Sequence, residues 1–264
     1  WINTGDVLDA SGEPQRALDC YQKAQTLRPG QDARLLNLMG MAAARVGDAS
    51  AEGILRQALE ADPGYLLAWQ NLCLLLAGQG RLEEALEVSN RAAELGPRDA
   101  RVFLSRGMLL YQAQRFREAA AALENCVALD PTAGAGWNYL GESYLALNDQ
   151  SKAANCFERA MQAEPTMALA WRNAARVRIL EKDYEKALQL LDRALELSPQ
   201  EGLAHYLRGS ALVCLERLDE AMASFTRAAE LGEPHAAAAL KKLQPSESIF
   251  KKAARSLGLA KKRP

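Results

Sequence analysis

Residues 134–165 read GAGWNYLGESYLALNDQSKAANCFERAMQAEP, and the spacing inside this stretch decides the fold. Trp137, Leu140, Gly141 and Tyr144 recur at three- and four-residue intervals, which places them on one face of a helix. Ala153, Phe157 and Ala160 repeat that spacing further on, and Pro165 follows them. Proline has no N–H and restricts the residue before it, so it closes the second helix and turns the chain. Working outward in steps of 34 residues, Ala153 is matched by Ala17, Ala51, Ala85, Ala119, Ala187 and Ala221. Pro165 is matched by Pro29, Pro63, Pro97, Pro131 and Pro199, and then by Glu233. All four tryptophans fall on one comb: Trp1, Leu35, Trp69, Phe103, Trp137, Trp171, His205.

Each period therefore predicts two helices separated by a polar turn, such as GQGR at 78–81 or LEKD at 180–183. Small residues let the two helices approach, and the comb aromatic fills the space near their contact. One such pair cannot bury its apolar face alone, so neighbours must stack. The pattern Trp137, Leu140, Gly141, Tyr144, Ala153, Phe157, Ala160, Pro165 resembles the tetratricopeptide repeat family. The resemblance implies an all-α fold, a right-handed superhelical solenoid of antiparallel helix pairs whose first helices line a concave wall. With the tryptophan comb as position 4, the repeats span 1–31, 32–65, 66–99, 100–133, 134–167, 168–201 and 202–235. Position 8 departs from glycine at Met39, Cys73 and Ala175; Gly40 sits one place late, which predicts a local shift in the second repeat. His205 and Glu233 mark the last repeat as a degraded unit, and AAAALKKL at 236–243 reads as a capping helix within 236–244.

The composition is that of a globular chain, with no apolar run near the ~18 residues of a membrane span. WINTGDVLDASGE lacks the basic and apolar regions of a secretory signal, so a cytoplasmic location is expected. The chain starts at Trp1 rather than Met, which leaves a longer natural chain open. Cys20, Cys73, Cys126, Cys156 and Cys214 are odd in number and widely spaced, and read as reduced, mostly buried residues. With His205 and His235 as the only histidines, a zinc site or a His-based triad is not expected. No phosphate-cradling glycine loop, GxSxG or Cys–His pair is present, so no enzyme activity, metal or cofactor is expected.

Candidate chemistry lies on the first helices, where the resemblance implies that positions 2, 5, 6, 9, 12 and 13 hold peptides. Asn3, Asn37, Asn71 and Asn173 share one comb position, with Asn138 beside it; spaced amides can pair with any extended backbone. The alternative is that they are ordinary polar surface residues. Tyr111, Tyr139 and Tyr206 supply amphipathic anchors and Met108 extends an apolar strip, unless inter-repeat packing claims them. In WRNAARVR, 171–178, Arg172 and Arg176 are four residues apart and share a face, with Arg101 two repeats earlier. They could grip a carboxylate or an acidic side chain, or pair locally with Glu142 or another wall acid. Arg178 occupies a normally apolar or tyrosine position, and the sequence offers no reason for it. Chaperone-binding members carry a carboxylate clamp; the corresponding run here, Leu36 and Gly40, then Asn71, then Arg101 and Ser105, does not match it.

Residues 236–264 carry a net charge of +7 against −8 for the rest of the chain. Residues 245–264 read as a basic amphipathic tail that docks on an acidic body or contacts a membrane or nucleic acid. The leading expectation is a non-enzymatic protein–protein interaction scaffold whose concave groove takes an extended or acidic peptide segment. The alternatives are a self-assembling scaffold, giving a homo-oligomer, and a substrate-recruiting or regulatory arm of a larger protein.

Overall fold

A computed structural model describes residues 1–27 and 29–243. The 245–264 tail lies outside the described residues, as does Gln244. The described residues form helices α1 (Ile2–Ala10), α2 (Pro14–Leu27), α3 (Ala33–Val46), α4 (Ala51–Ala61), α5 (Leu66–Gly78), α6 (Leu82–Leu95), α7 (Ala100–Gln112), α8 (Phe116–Leu129) and α9 (Gly134–Ala146). They continue as α10 (Gln150–Ala163), α11 (Ala168–Leu180), α12 (Tyr184–Leu197), α13 (Gly202–Cys214), α14 (Leu218–Glu230) and α15 (Ala236–Leu243). Two compact units follow, one of residues 1–148 and one beginning at Asp149. Within the first, α1 pairs with α2, α3 with α4, α5 with α6 and α7 with α8; within the second, α11 pairs with α12 and α13 with α14. First helices also touch the next first helix: α3 with α5, α5 with α7 and α7 with α9, and separately α11 with α13. The fold is an all-helical solenoid of antiparallel pairs.

The approach within each pair is set by one small residue facing one large one. Gly5 meets the Tyr21 ring, Gly107 meets Leu123, and a Cβ on Gly209 would lie 2.7 Å from Phe225. Where the first partner grows, the second shrinks: Cys73 stands at the glycine position of α5 and Ser89 at the large position of α6, both buried. The Cys73 thiol donates to the Ala85 carbonyl at 3.3 Å, and burial pushes its pKa up to about 12. All five cysteines are free thiols; Cys214 alone is exposed.

The second repeat is shifted, as Gly40 indicated. A Cβ on Gly40, not on Met39, would strike Leu55, at 2.7 Å. Helix α3 starts one residue later on the comb than α5, α7, α9, α11 and α13. It ends in Gly47, also one place late, while the left-handed residue of the other turns is Gly12, Gly80, Gln114, Asn148, Lys182 or Glu216. The shorter α4 absorbs the extra residue, so Ala51 is back in register.

The tryptophan and proline combs are one device. The indole N–H of Trp69, Trp137 and Trp171 donates to the carbonyl of Pro63, Pro131 and Pro165 respectively, each at 2.9 Å. The bond ties each first helix to the turn that precedes it. His205 Nε2 lies 3.1 Å from the Pro199 carbonyl, so the degraded last repeat keeps the tie. Helix α15 packs on α14: Ala236 is fully buried, and Ala239, Leu240 and Leu243 pack toward Leu188, Leu212 and Phe225. Lys241 and Lys242 stay exposed.

Candidate functional site

Most charge on the second helices is used locally. Arg81, Arg115 and Arg217 sit just before α6, α8 and α14 and reach Glu84, Glu118 and Glu220 three residues on, at 2.6 to 2.7 Å. Such exposed pairs contribute little to stability. The first helices carry the less expected chemistry, which differs between the two units.

In residues 1–148 the first-helix face is charged between α1 and α3, where Arg45 pairs with Asp9 and Arg34 with Asp6, and amide and aromatic from α3 to α9. Asn71 Nδ2 donates to Asn37 Oδ1 at 2.7 Å, joining α5 to α3. Asn37 and Asn138 are buried and Asn71 is half-buried. With α3 shifted, Asn37 lies one place earlier on its helix than the comb puts it. Tyr111 and Tyr139 meet edge to face at 6.0 Å, and Tyr111 also meets Phe116 at 5.4 Å. Both tyrosines and Met108 are half-buried. Desolvation raises the Tyr139 pKa, and the Glu142 carboxylate adds to the shift. Arg101 is exposed, but its guanidinium folds back on Asp99, the N-cap of its own helix, with Nε–Oδ1 3.1 Å and Nη2–Oδ2 2.7 Å. That pairing raises the Arg101 pKa and lowers that of Asp99.

In the second unit the face is charged. Asn173 is fully buried in α11, and its Oδ1 accepts from Arg172 Nη2 at 3.1 Å and from Arg176 Nη1 at 3.4 Å. Arg172 is also ion-paired with Glu201, the N-cap of α13, and its side chain is only 13 % exposed. The second Glu201 oxygen, Oε2, is buried without a hydrogen-bond partner among the described residues. Arg176 reaches only Asn173 among the described residues and is half-buried. Of the arginine pair 172 and 176, Arg172 is thus held by a carboxylate and Arg176 retains most of its donors.

Arg178 now has its reason. It donates to Glu158 on α10 at 2.9 Å and to Glu181 at 2.7 Å. One repeat earlier, in the other unit, Tyr144 hydroxyl donates to Glu124 at the same separation in sequence. Arginine replaces tyrosine as the donor to the acid of the preceding helix.

Tyr206 belongs to a different environment. Its ring lies 5.5 Å from Phe225 and 6.0 Å from His235. It lines a cavity of about 370 Å³ with Ser210, Val213, Phe225, His235 and the α15 residues Ala238, Ala239, Lys242 and Leu243. The sequence alone singled out neither His235, Lys242 nor Glu201. Glu201 holds no comb identity, and the other two become wall residues only once α15 packs beside α13.

Among the described residues no group of His, Cys, Asp and Glu could hold a metal ion. No described helix is long and apolar enough to cross a membrane.

Comparison with known proteins agrees with this architecture. Tetratricopeptide repeat models match residues 72–135, and 37–100, 141–202 and 183–238. Human protein O-mannosyl-transferase TMTC1 is 26% identical over 141 residues, which are 52% of this chain and 16% of that protein. The APC/C Cut9–Hcn1 structure superposes with a TM-score of 0.75 at 21% identity, covering 91% of this chain and 48% of that one. PilF of Pseudomonas aeruginosa gives 0.68 at 22% identity, over 85% of this chain and 97% of its own. YrrB, described as a TPR protein with an unusual peptide-binding site, gives 0.55 at 22% identity, over 70% and 95%. The chain thus spans about a sixth of the curated relative and about half of the Cut9–Hcn1 chain. At these identities the structural likeness speaks for the fold alone. The family models cover well over half of the sequence, and the chain belongs to the tetratricopeptide repeat family.

Proposed function

We propose that this chain is a non-enzymatic scaffold for protein–protein interaction, whose first helices bind an extended, acid-bearing segment of a partner. The seven repeats ending at residue 235 are its recognition units, and the first helices α11 and α13 carry the acid-reading part. The observation behind this is the pair Arg172 and Arg176. Glu201 fixes Arg172, Asn173 orients both side chains, and Arg176 keeps donors for an incoming carboxylate. A guanidinium held in place loses less freedom on binding, and charge-assisted bonds are the stronger ones. In residues 1–148, Asn71, Tyr111, Met108 and Tyr139 offer a surface for backbone amides and apolar side chains.

The test is affinity capture from native cells, comparing the wild type with Arg176→Glu. Arg176 is the better target because replacing Arg172 also strands Glu201. Loss of a specific captured protein, with helicity and melting unchanged, is expected. Capture that is insensitive to the substitution would contradict the reading.

A second reading is a recruiting or regulatory arm of a larger protein. It rests on the chain matching only 16% of the length of its human relative. Sequencing the complete gene decides it.

A further inference from the structure

The cavity beside Tyr206 has the attributes of a binding site separate from the arginine pair. Its floor is apolar and aromatic: Tyr206, Val213 and Phe225 from α13 and α14, with Leu243 from α15. Two of its described lining residues, His235 and Lys242, can carry positive charge, and none is acidic. Its volume, about 370 Å³, falls at the low end of ligand pockets, enough for one large side chain and little more. The Ser210 hydroxyl already donates to the Tyr206 carbonyl at 3.0 Å, so the charged donors left for a ligand are those of Lys242 and His235, beside the neutral Tyr206 hydroxyl.

We propose that this pocket takes the C-terminal residue of a partner polypeptide that ends in a large apolar side chain. The side chain lies on Tyr206 and Phe225, and the terminal carboxylate meets the Lys242 ammonium. Three features favour this occupant. An aromatic floor rewards a ring or a branched chain. A cationic lip without acids favours an anion and repels a basic segment. A chain terminus puts its carboxylate on the same Cα that bears the last side chain, which suits a pocket that holds both features in so small a volume. The same ammonium also complements the carbonyl end of α15, a role that would leave Lys242 indifferent to any ligand.

The test uses the full chain and a fluorescein-labelled hexapeptide, Gly-Ser-Gly-Ser-Gly-Phe, with a free or an amidated C-terminus, read by fluorescence anisotropy. The free acid is expected to bind saturably and the amide about tenfold more weakly, the effect of one charge-assisted contact. Lys242→Ala should remove that difference. Ala238→Trp, at an exposed position on the cavity wall, should abolish binding while the circular dichroism stays that of the wild type. Arg176→Glu should leave the affinity unchanged, which separates this site from the arginine wall. The proposal is overturned if acid and amide bind alike, if Ala238→Trp binds normally, or if Arg176→Glu weakens the probe. It is equally overturned if the wild type refuses both probes, whether residues 244–264 or a second copy closes the pocket.

Discussion

The first-helix face of residues 1–148 and that of residues 149–243 occupy the same repeat positions and are finished with different chemistry. The first joins α5 to α3 and α7 to α9 by amides and rings, through Asn71–Asn37 and Tyr111–Tyr139, and uses charge between α1 and α3, through Arg45–Asp9 and Arg34–Asp6. The second joins α11 to the N-cap of α13 by charge, through Arg172–Glu201. The contrast extends to the flanks. In the first unit one acid, Glu52, sits between Arg56 and Arg81; in the second one base, Arg178, sits between Glu158 and Glu181. The shared scaffold is therefore set by size and hydrogen bonding at fixed positions. The surface chemistry is free to vary on top of it.

If the scaffold is common, insults to its contacts should cost alike in both units. Gly107→Val drives a branched chain into Leu123, and Gly209→Val drives one into Phe225. Each should lower stability by about 3 kcal/mol in urea unfolding. A large inequality would break the claim of equivalence.

Wall substitutions should differ. Glu201→Ala strands a mostly buried Arg172 and should cost about 2 kcal/mol. Asn71→Ala leaves the buried Asn37 oxygen without its donor and should cost about 1 kcal/mol. Urea midpoints of the two variants, measured side by side, would show whether charge really weighs more than amide here.

The turn between the helices sharpens the comparison with a change of sign. Gly80 in the first unit and Lys182 in the second take the same left-handed conformation, at φ of 77° and 64°. Gly80→Ala should destabilise by about 1 kcal/mol and Lys182→Gly should stabilise by up to about 1 kcal/mol. Thermal melts of the two variants check both signs.

The smallest effect is the pH dependence of Glu52. Hydrogen bonds from Arg81, then Arg56, hold its carboxyl below the usual range. Its folded pKa lies below its unfolded one, so its contribution is present above about pH 4.3 and lost as the pH falls through the folded value. Glu52→Gln should be slightly less stable than the wild type at pH 7, and the gap in urea midpoint should close by pH 3. A gap that persists in acid would mean that the pairs with Arg56 and Arg81 do not act through charge.

Much of the fold was legible because a solenoid writes its contacts at a fixed period. Alanine, proline and tryptophan recur every 34 residues because the same approach and the same indole–carbonyl bond recur. Even the shift of α3 was visible in Gly40. The role of Arg178 could have been found the same way, since Glu124 and Glu158 lie one period apart. The wall was legible in composition but not in pairing. Glu201 lies 29 residues from Arg172 on an inter-helix turn, and nothing periodic points one to the other. The asparagine comb promised amides facing outward, whereas the depth of Asn37, Asn138 and Asn173 depends on how closely neighbouring first helices approach. Side-chain spacing along a single helix does not encode that distance.

First helices, rather than second helices, should carry the partner. Hydrogen–deuterium exchange on the chain with and without a partner captured by the wild type tests this most directly. Protection of α11 and α13 with little change in α12 and α14 is the predicted result. Protection confined to α12 and α14, or absent from α11, would contradict it.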